Sequence, residues 1–187
     1  MKALAAAERP TSAWRALTAD APAILAVALA MAASARLELP ADPVPITAQT
    51  LAVLLAGALA GSRRAALGVL TYLAAGAAGL PAFAAGGGPL YFFGPTGGYL
   101  VGFVPAAYVA GRLMERGWGR GALPTLAALV AADAVIFACG VAWLAVLLAA
   151  DPVLGPAAAV PLGLVRFIPG EMLKIALAGL VIHGLKR

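Results

Sequence analysis

A chain of 187 residues that is 63% hydrophobic and only 11% charged, with a mean hydropathy of +0.97, is too apolar for a water-soluble domain and reads as an integral membrane protein. Its net charge of +5 does not point to nucleic acid, because the basic residues stand between apolar runs and do not cluster on a polar face. A single cysteine, Cys139, excludes an internal disulfide and a cysteine metal cluster, and no stretch matches the phosphate-loop, zinc-protease or serine-hydrolase patterns.

A spanning helix takes ~20 residues, so six spans use about 120 and leave about 67 for loops and ends. Residues 1–20 read as a polar leader carrying Lys2, Arg9 and Arg15, and residues 21–187 as one six-helix transmembrane domain. The first span is predicted over 22–39. Ala33-Ser34-Ala35 imitates a signal-peptidase site, but cleavage there would leave an odd number of helices and remove the first basic segment, so the span is expected to be retained. Ala28, Ala32 and Ala35 share one face of it; such a small-residue stripe serves either internal packing or the docking of another membrane protein. The second and third spans, 46–61 and 65–80, are near the minimum length.

Between residues 81 and 95 runs an uncharged connection with Ala84-Ala85-Gly86-Gly87-Gly88 and Tyr91-Phe92-Phe93. Glycines give such a loop mobility and rings give it cover, which predicts a lid over an apolar ligand. Gly94-Pro95-Thr96-Gly97-Gly98-Tyr99 opens the fourth span, 96–114, where Thr96 is expected to cap and the glycines to leave backbone N–H groups for a ligand acceptor. The fifth span, 123–149, carries Asp133, expected to face the bundle and bond to Thr, Tyr or backbone.

The sixth span, 155–183, holds Arg166, Glu171 and Lys174, although each ionisable group in a membrane costs ~2.5–3.5 kcal/mol even on the lenient insertion scale. Glu171 and Lys174, three apart, share a face, and Pro169-Gly170 is expected to interrupt the helix beside them. His183 and Cys139 have no partner for catalysis in sequence.

With the amino terminus inside, alternate loops place Lys2, Arg9, Arg15, Arg63, Arg64, Arg112, Arg116, Arg120, Lys186 and Arg187 in the cytoplasm and Glu38, Asp42 and Asp151 outside. Trp14 and Trp118 then lie near the cytoplasmic interface. The expected architecture is an all-α integral membrane protein, a compact six-helix bundle with both termini cytoplasmic.

Pro43-Val44-Pro45-Ile46-Thr47-Ala48-Gln49-Thr50, Gly79-Leu80-Pro81 with the glycine-rich loop, Gly94-Pro95-Thr96-Gly97-Gly98-Tyr99 and Pro169-Gly170-Glu171-Met172-Leu173-Lys174, in that order, resemble the BioY family. These are biotin-specific substrate-binding subunits (S components) of energy-coupling-factor transporters. The resemblance, running from about residue 26 to the end, implies capture of biotin from outside by a multi-pass subunit of a prokaryotic cytoplasmic membrane. It implies partnership with a transmembrane coupling subunit and two cytoplasmic ATPase subunits. No cofactor and no metal is expected. The last motif carries Glu171 where the family pattern more often has aspartate, and the chain has no asparagine for the outer loop.

Biotin offers two ureido N–H donors, a carbonyl acceptor, an apolar bicycle and a carboxylate. Glu171 suits the N–H groups and Lys174 the ureido oxygen or the carboxylate; Tyr91, Phe92, Phe93 and Tyr99 suit the walls, Thr96, Gly97 and Gly98 the remaining acceptor, and Arg166 is a further candidate contact. How Glu171 and Lys174 divide the two ends of the ligand stays open. The competing readings are an S component for another vitamin, a stand-alone small carrier, and an intramembrane enzyme using Asp133 or Glu171 as acid or base.

Overall fold

The computed structural model describes residues 12–185, with side chains from residue 19 onward. Lys2, Arg9, Lys186 and Arg187, and the side chains of Trp14 and Arg15, lie outside the described residues. The described residues form six long helices: α1 (Ser12–Ala35), α2 (Gln49–Ala60), α3 (Ser62–Ala77), α4 (Gly97–Glu115), α5 (Ala122–Leu148) and, after a five-residue α6 (Ala159–Gly163), α7 (Ile168–Gly184). A two-residue hairpin, β1 (Glu38–Leu39) antiparallel to β2 (Ile46–Thr47), joins α1 to α2.

Several boundaries differ from the expected spans by a few residues, the first and the sixth by the most. The first helix is already formed at Ser12, the first described residue, and continues through Pro22, because the alanine-rich segment before the proline is a good helix former. The sixth span is not one helix broken at Pro169-Gly170. The break lies upstream, over Leu164 and the 3-10 turn Val165–Phe167, and Pro169 occupies the first turn of α7, where its missing N–H costs nothing. Among the described residues α5 alone is long and apolar enough to cross a bilayer on those two criteria; α2, with 12 residues, rises only ~18 Å.

Helices without a hydrophobic drive between them must approach closely, and small residues allow it. On α4, a Cβ added to Gly98 would stand 2.3 Å from the Trp143 Cβ, and one on Gly102 would stand 3.0 Å from the Cys139 Cβ, so this pair sets the α4–α5 contact. The alanine stripe of α1 also turns inward. Ala35 is fully buried and Ala28 and Ala32 pack half-buried against the core, while Leu25 and Leu29 take the exposed face. Internal packing is the use its burial supports.

The two ends of the bundle differ. At one, Arg64 pairs with Asp20 at 2.7 Å, Ser62 meets Glu115, and His183 lies 3.2 Å from Thr125. At the other, Arg36 donates to the Pro81 carbonyl, Arg166 to the Asp42 carbonyl, and the Trp143 indole to the Gly94 carbonyl at 2.9 Å.

Glu115, just past the fourth predicted span, does the work of a helix cap from a distance. Gly61, at φ +85°, precedes α3 and has no side chain to offer. The Ser62 N–H and O–H both donate to the Glu115 carboxylate at 2.8 Å. The bond from the Ser62 N–H, then that from its hydroxyl, holds this carboxyl below the usual glutamate range. A depressed folded value means stabilisation that is full above the unfolded value and lost as pH falls through the folded one. Glu115→Gln should therefore lower stability at neutral pH by a small amount, because the Glu115 side chain is 39% exposed and solvent screens its charge. Thermal unfolding in detergent would read this as a lower midpoint, with the gap to the parent closing in acid.

Candidate ligand-binding cavity

Toward the end of the bundle that carries the hairpin and the 81–95 connection, a small cavity of about 40 Å³ opens among α2, α4, α5, the hairpin loop and the turn before α7. Its walls are aromatic. Phe83, Tyr91, Tyr99, Phe103, Phe137 and Phe167 line it, with Thr47, Gln49, Thr50, Thr96 and Glu171 as its polar groups.

The 81–95 connection closes over this space around one buried ring. Phe83 is fully buried; it stands edge-on to Tyr72 at 5.4 Å and to Phe92 at 5.5 Å, and tilted to Tyr91 at 4.8 Å. The ring fits because position 76 is glycine: a Cβ there would come within 2.2 Å of it. Pro89–Phe93 then makes a 3-10 turn that sends Tyr91 inward, while Leu90 and Phe93 face out at 80% and 68% exposure.

Tyr99 is the opposite wall. Its hydroxyl donates to the Gly163 carbonyl at 2.7 Å, which satisfies a backbone acceptor at the end of α6, and Gly140 leaves the room its ring needs against α5. Tyr99, Phe137 and Phe167 have ring centroids 5.6 to 6.3 Å apart.

The polar floor is built by α7 and the start of α2. Glu171, in the first turn of α7 where a negative charge is favoured, is 5% exposed. Lys174 spends its three protons locally: it donates to Glu171 Oε1 at 2.7 Å, to the Thr47 carbonyl at 2.6 Å and to Thr50 Oγ1 at 3.0 Å. Glu171 Oε2 is buried and receives no donor. Beside it, Gln49 donates to the Tyr72 hydroxyl at 2.7 Å.

Of the residues singled out by sequence, Glu171, Thr96, Tyr99 and Tyr91 border the cavity. Thr96 precedes α4 without capping it through its side chain. Lys174 stands one shell behind Glu171. Gly97 and Gly98 border a separate groove with Phe92 and Trp143, and the Gly97 N–H donates to the Gly94 carbonyl at 3.0 Å. Phe93 points away, and Arg166 ties the hairpin loop to the segment before α7. Asp133 is buried but has no Thr, Tyr or backbone donor at Oδ1; it faces Glu171 on the adjacent α7. Val44, Thr47, Gln49 and Thr50 stand out in the sequence only as part of the motif over residues 43–50, with no site role attached, and Phe83, Phe103, Phe137 and Phe167 do not stand out at all. Gln49, the one glutamine in the chain, between threonines at the head of an apolar helix, was the available signal.

A sequence model of the BioY family matches residues 7–187. The chain is 40% identical over 147 residues to the biotin transporter BioY of Rhizobium etli, covering 74% of this chain and 76% of that protein. It is 40% identical over 149 residues to the biotin transporter BioY of Rhodobacter capsulatus, with the same coverages. The Thermotoga maritima protein of that name is 36% identical over 81% of this chain and 86% of its own length. Among solved structures, the fold is similar to the crystal structure of the S-component for biotin from an ECF-type ABC transporter, with a TM-score of 0.79 at 22% identity, covering 92% of this chain and 93% of that one.

Proposed function

The chain belongs to the BioY family, and on that premise we propose that it is a biotin-binding S component that takes biotin from outside and delivers it inward. The observation that carries the ligand reading is Glu171 Oε2, a buried acceptor without a donor on the floor of an aromatic cavity. An unpaired acceptor in such a place suits a ureido N–H, and the rings suit the bicycle. Thr96 and Thr50 offer hydroxyls to the ureido carbonyl. No cationic side chain lines the cavity, so the ligand carboxylate stays at its mouth. Lys174, with all its donors engaged, acts by fixing Glu171.

The basic end of the bundle faces the cytoplasm in this reading, supported by Arg63, Arg64, Arg112, Arg116 and Arg120 in its loops and helix ends. The protein then crosses a prokaryotic cytoplasmic membrane several times, with the cavity outward and the 81–95 connection as its lid. Delivery is driven by a transmembrane coupling subunit and two ATPase subunits.

Calorimetry on detergent-purified protein with biotin, thiamine and riboflavin tests the ligand. Heat with biotin alone, in the absence of nucleotide, is the expected result. No heat and no thermal shift with biotin, on folded protein, would sink the proposal, and heat with another vitamin would reassign it.

A further inference from the structure

Asp133, on α5, does not line the cavity, yet its position bears on the chemistry of Glu171. It is 7% exposed, α5 packs against α7, and the charged side chains that act on it are Glu171 and Lys174 of that helix. Two oxygens of this pair, Asp133 Oδ1 and Glu171 Oε2, are buried with no donor. Two carboxylates face one ammonium, that of Lys174, and the ammonium bonds Glu171 and not Asp133. The charges acting on Asp133 are those of Glu171 and Lys174. From α2 come Thr50 and Gln49, both uncharged. Tyr99 of α4 and Tyr72 of α3 have their hydroxyls engaged with the Gly163 carbonyl and the Gln49 amide, and Arg166 is tied to the Asp42 carbonyl.

Buried acceptors facing each other need a proton between them, and one proton also brings the group of two acids and one ammonium to neutrality. We propose that Asp133 carries a proton, donates it in a hydrogen bond to Glu171 Oε2, and so is the positioning residue that aims this oxygen at the ligand. A carboxylate oxygen has two lone pairs, so Oε2 accepts from Asp133 and from a ureido N–H together. The inference rests on the reading of the cavity as the biotin site. Loss of the proton leaves two like charges side by side, and the repulsion turns Glu171 from its aim. Biotin affinity then falls as pH rises, by up to tenfold per unit once the proton is released. Asp133→Asn keeps a donor facing Glu171 and has no proton to lose.

Two measurements on the full chain in detergent decide it. Infrared spectroscopy with carboxyl-labelled aspartate should show a protonated-acid C=O band near neutral pH that shifts with the label and is absent from Asp133→Asn. Biotin titrations across neutral to alkaline pH should show falling affinity in the parent and a flat profile in Asp133→Asn, within about threefold of the parent's best value. Superimposable profiles, or no labelled acid band, would overturn the proposal. The band needs neither biotin nor the variant, so it decides the proton even if Asp133→Asn does not fold. A parent protein that shows the band and binds no biotin overturns the ligand reading instead.

Discussion

The doubly substituted Glu171→Gln, Lys174→Met protein is expected to fold and to bind biotin ten- to a hundredfold more weakly than the parent. Lys174→Met alone should be far worse for stability. It strips the cation from a carboxylate whose side chain is 6% exposed and takes the donor from the Thr47 carbonyl and Thr50 Oγ1 as well. Breaking a buried pair from one side costs about 3–5 kcal/mol. The double change removes both charges, so most of that loss should return, less about 1–3 kcal/mol for the unpaired Thr47 carbonyl. Affinity should not return. A charge-assisted hydrogen bond to the ligand is worth about 1.5–3 kcal/mol, and glutamine offers only a neutral acceptor in its place. Thermal unfolding and calorimetry on the three variants separate the two effects. Near-parental affinity in a folded double variant would make the pair a self-contained bridge and move the site toward Thr96 and Tyr99.

Glu171 and Lys174 were legible because three-residue spacing on a helix puts side chains on one face whatever the rest of the fold does. What they do with that face was not legible. The partners that use up Lys174 are 124 and 127 residues earlier, in the first turn of α2 and at the end of β2, and no periodicity in either segment announces the meeting. The cavity walls show the same limit: Phe83, Tyr99, Phe137 and Phe167 come from the 81–95 connection, α4, α5 and the turn before α7, in a chain where apolar residues occupy most positions of every helix. In such helices burial follows helix contacts, and hydropathy alone does not select a face. The glycines show a related limit. Gly97 and Gly98 read from sequence as open backbone N–H groups, and the neighbouring Phe92 carbonyl and Trp143 make them close-packing positions instead. The helix break fell at Leu164–Phe167 because the fold places Pro169 where a proline starts a helix.

Phe83→Ala tests how far the 81–95 connection and the cavity depend on each other, and its expected cost is about 3–5 kcal/mol. The ring is fully buried, touches Tyr72, Tyr91 and Phe92, and sits against the bare backbone at Gly76, so nothing nearby is shaped to refill its place. The connection is otherwise held mostly at its two ends, by Arg36 on the Pro81 carbonyl and Trp143 on the Gly94 carbonyl, with the Gly88 N–H donating to the Gly76 carbonyl between them. Removing the central ring should therefore loosen residues 84–93 more than the helices. Hydrogen exchange would show this as faster exchange over that stretch, with α4 and α5 unchanged. Biotin affinity should fall with it, since Tyr91 loses the ring that turns it inward and Phe83 itself borders the cavity. Phe83→Leu, which refills most of the volume, should restore stability to within about 1.5 kcal/mol and recover affinity only in part, because a leucine has no flat face to offer Tyr91. If Phe83→Ala unfolds at lower temperature while binding biotin as the parent does, the connection is a structural cover and the ligand is held by α2, α4 and α7 alone.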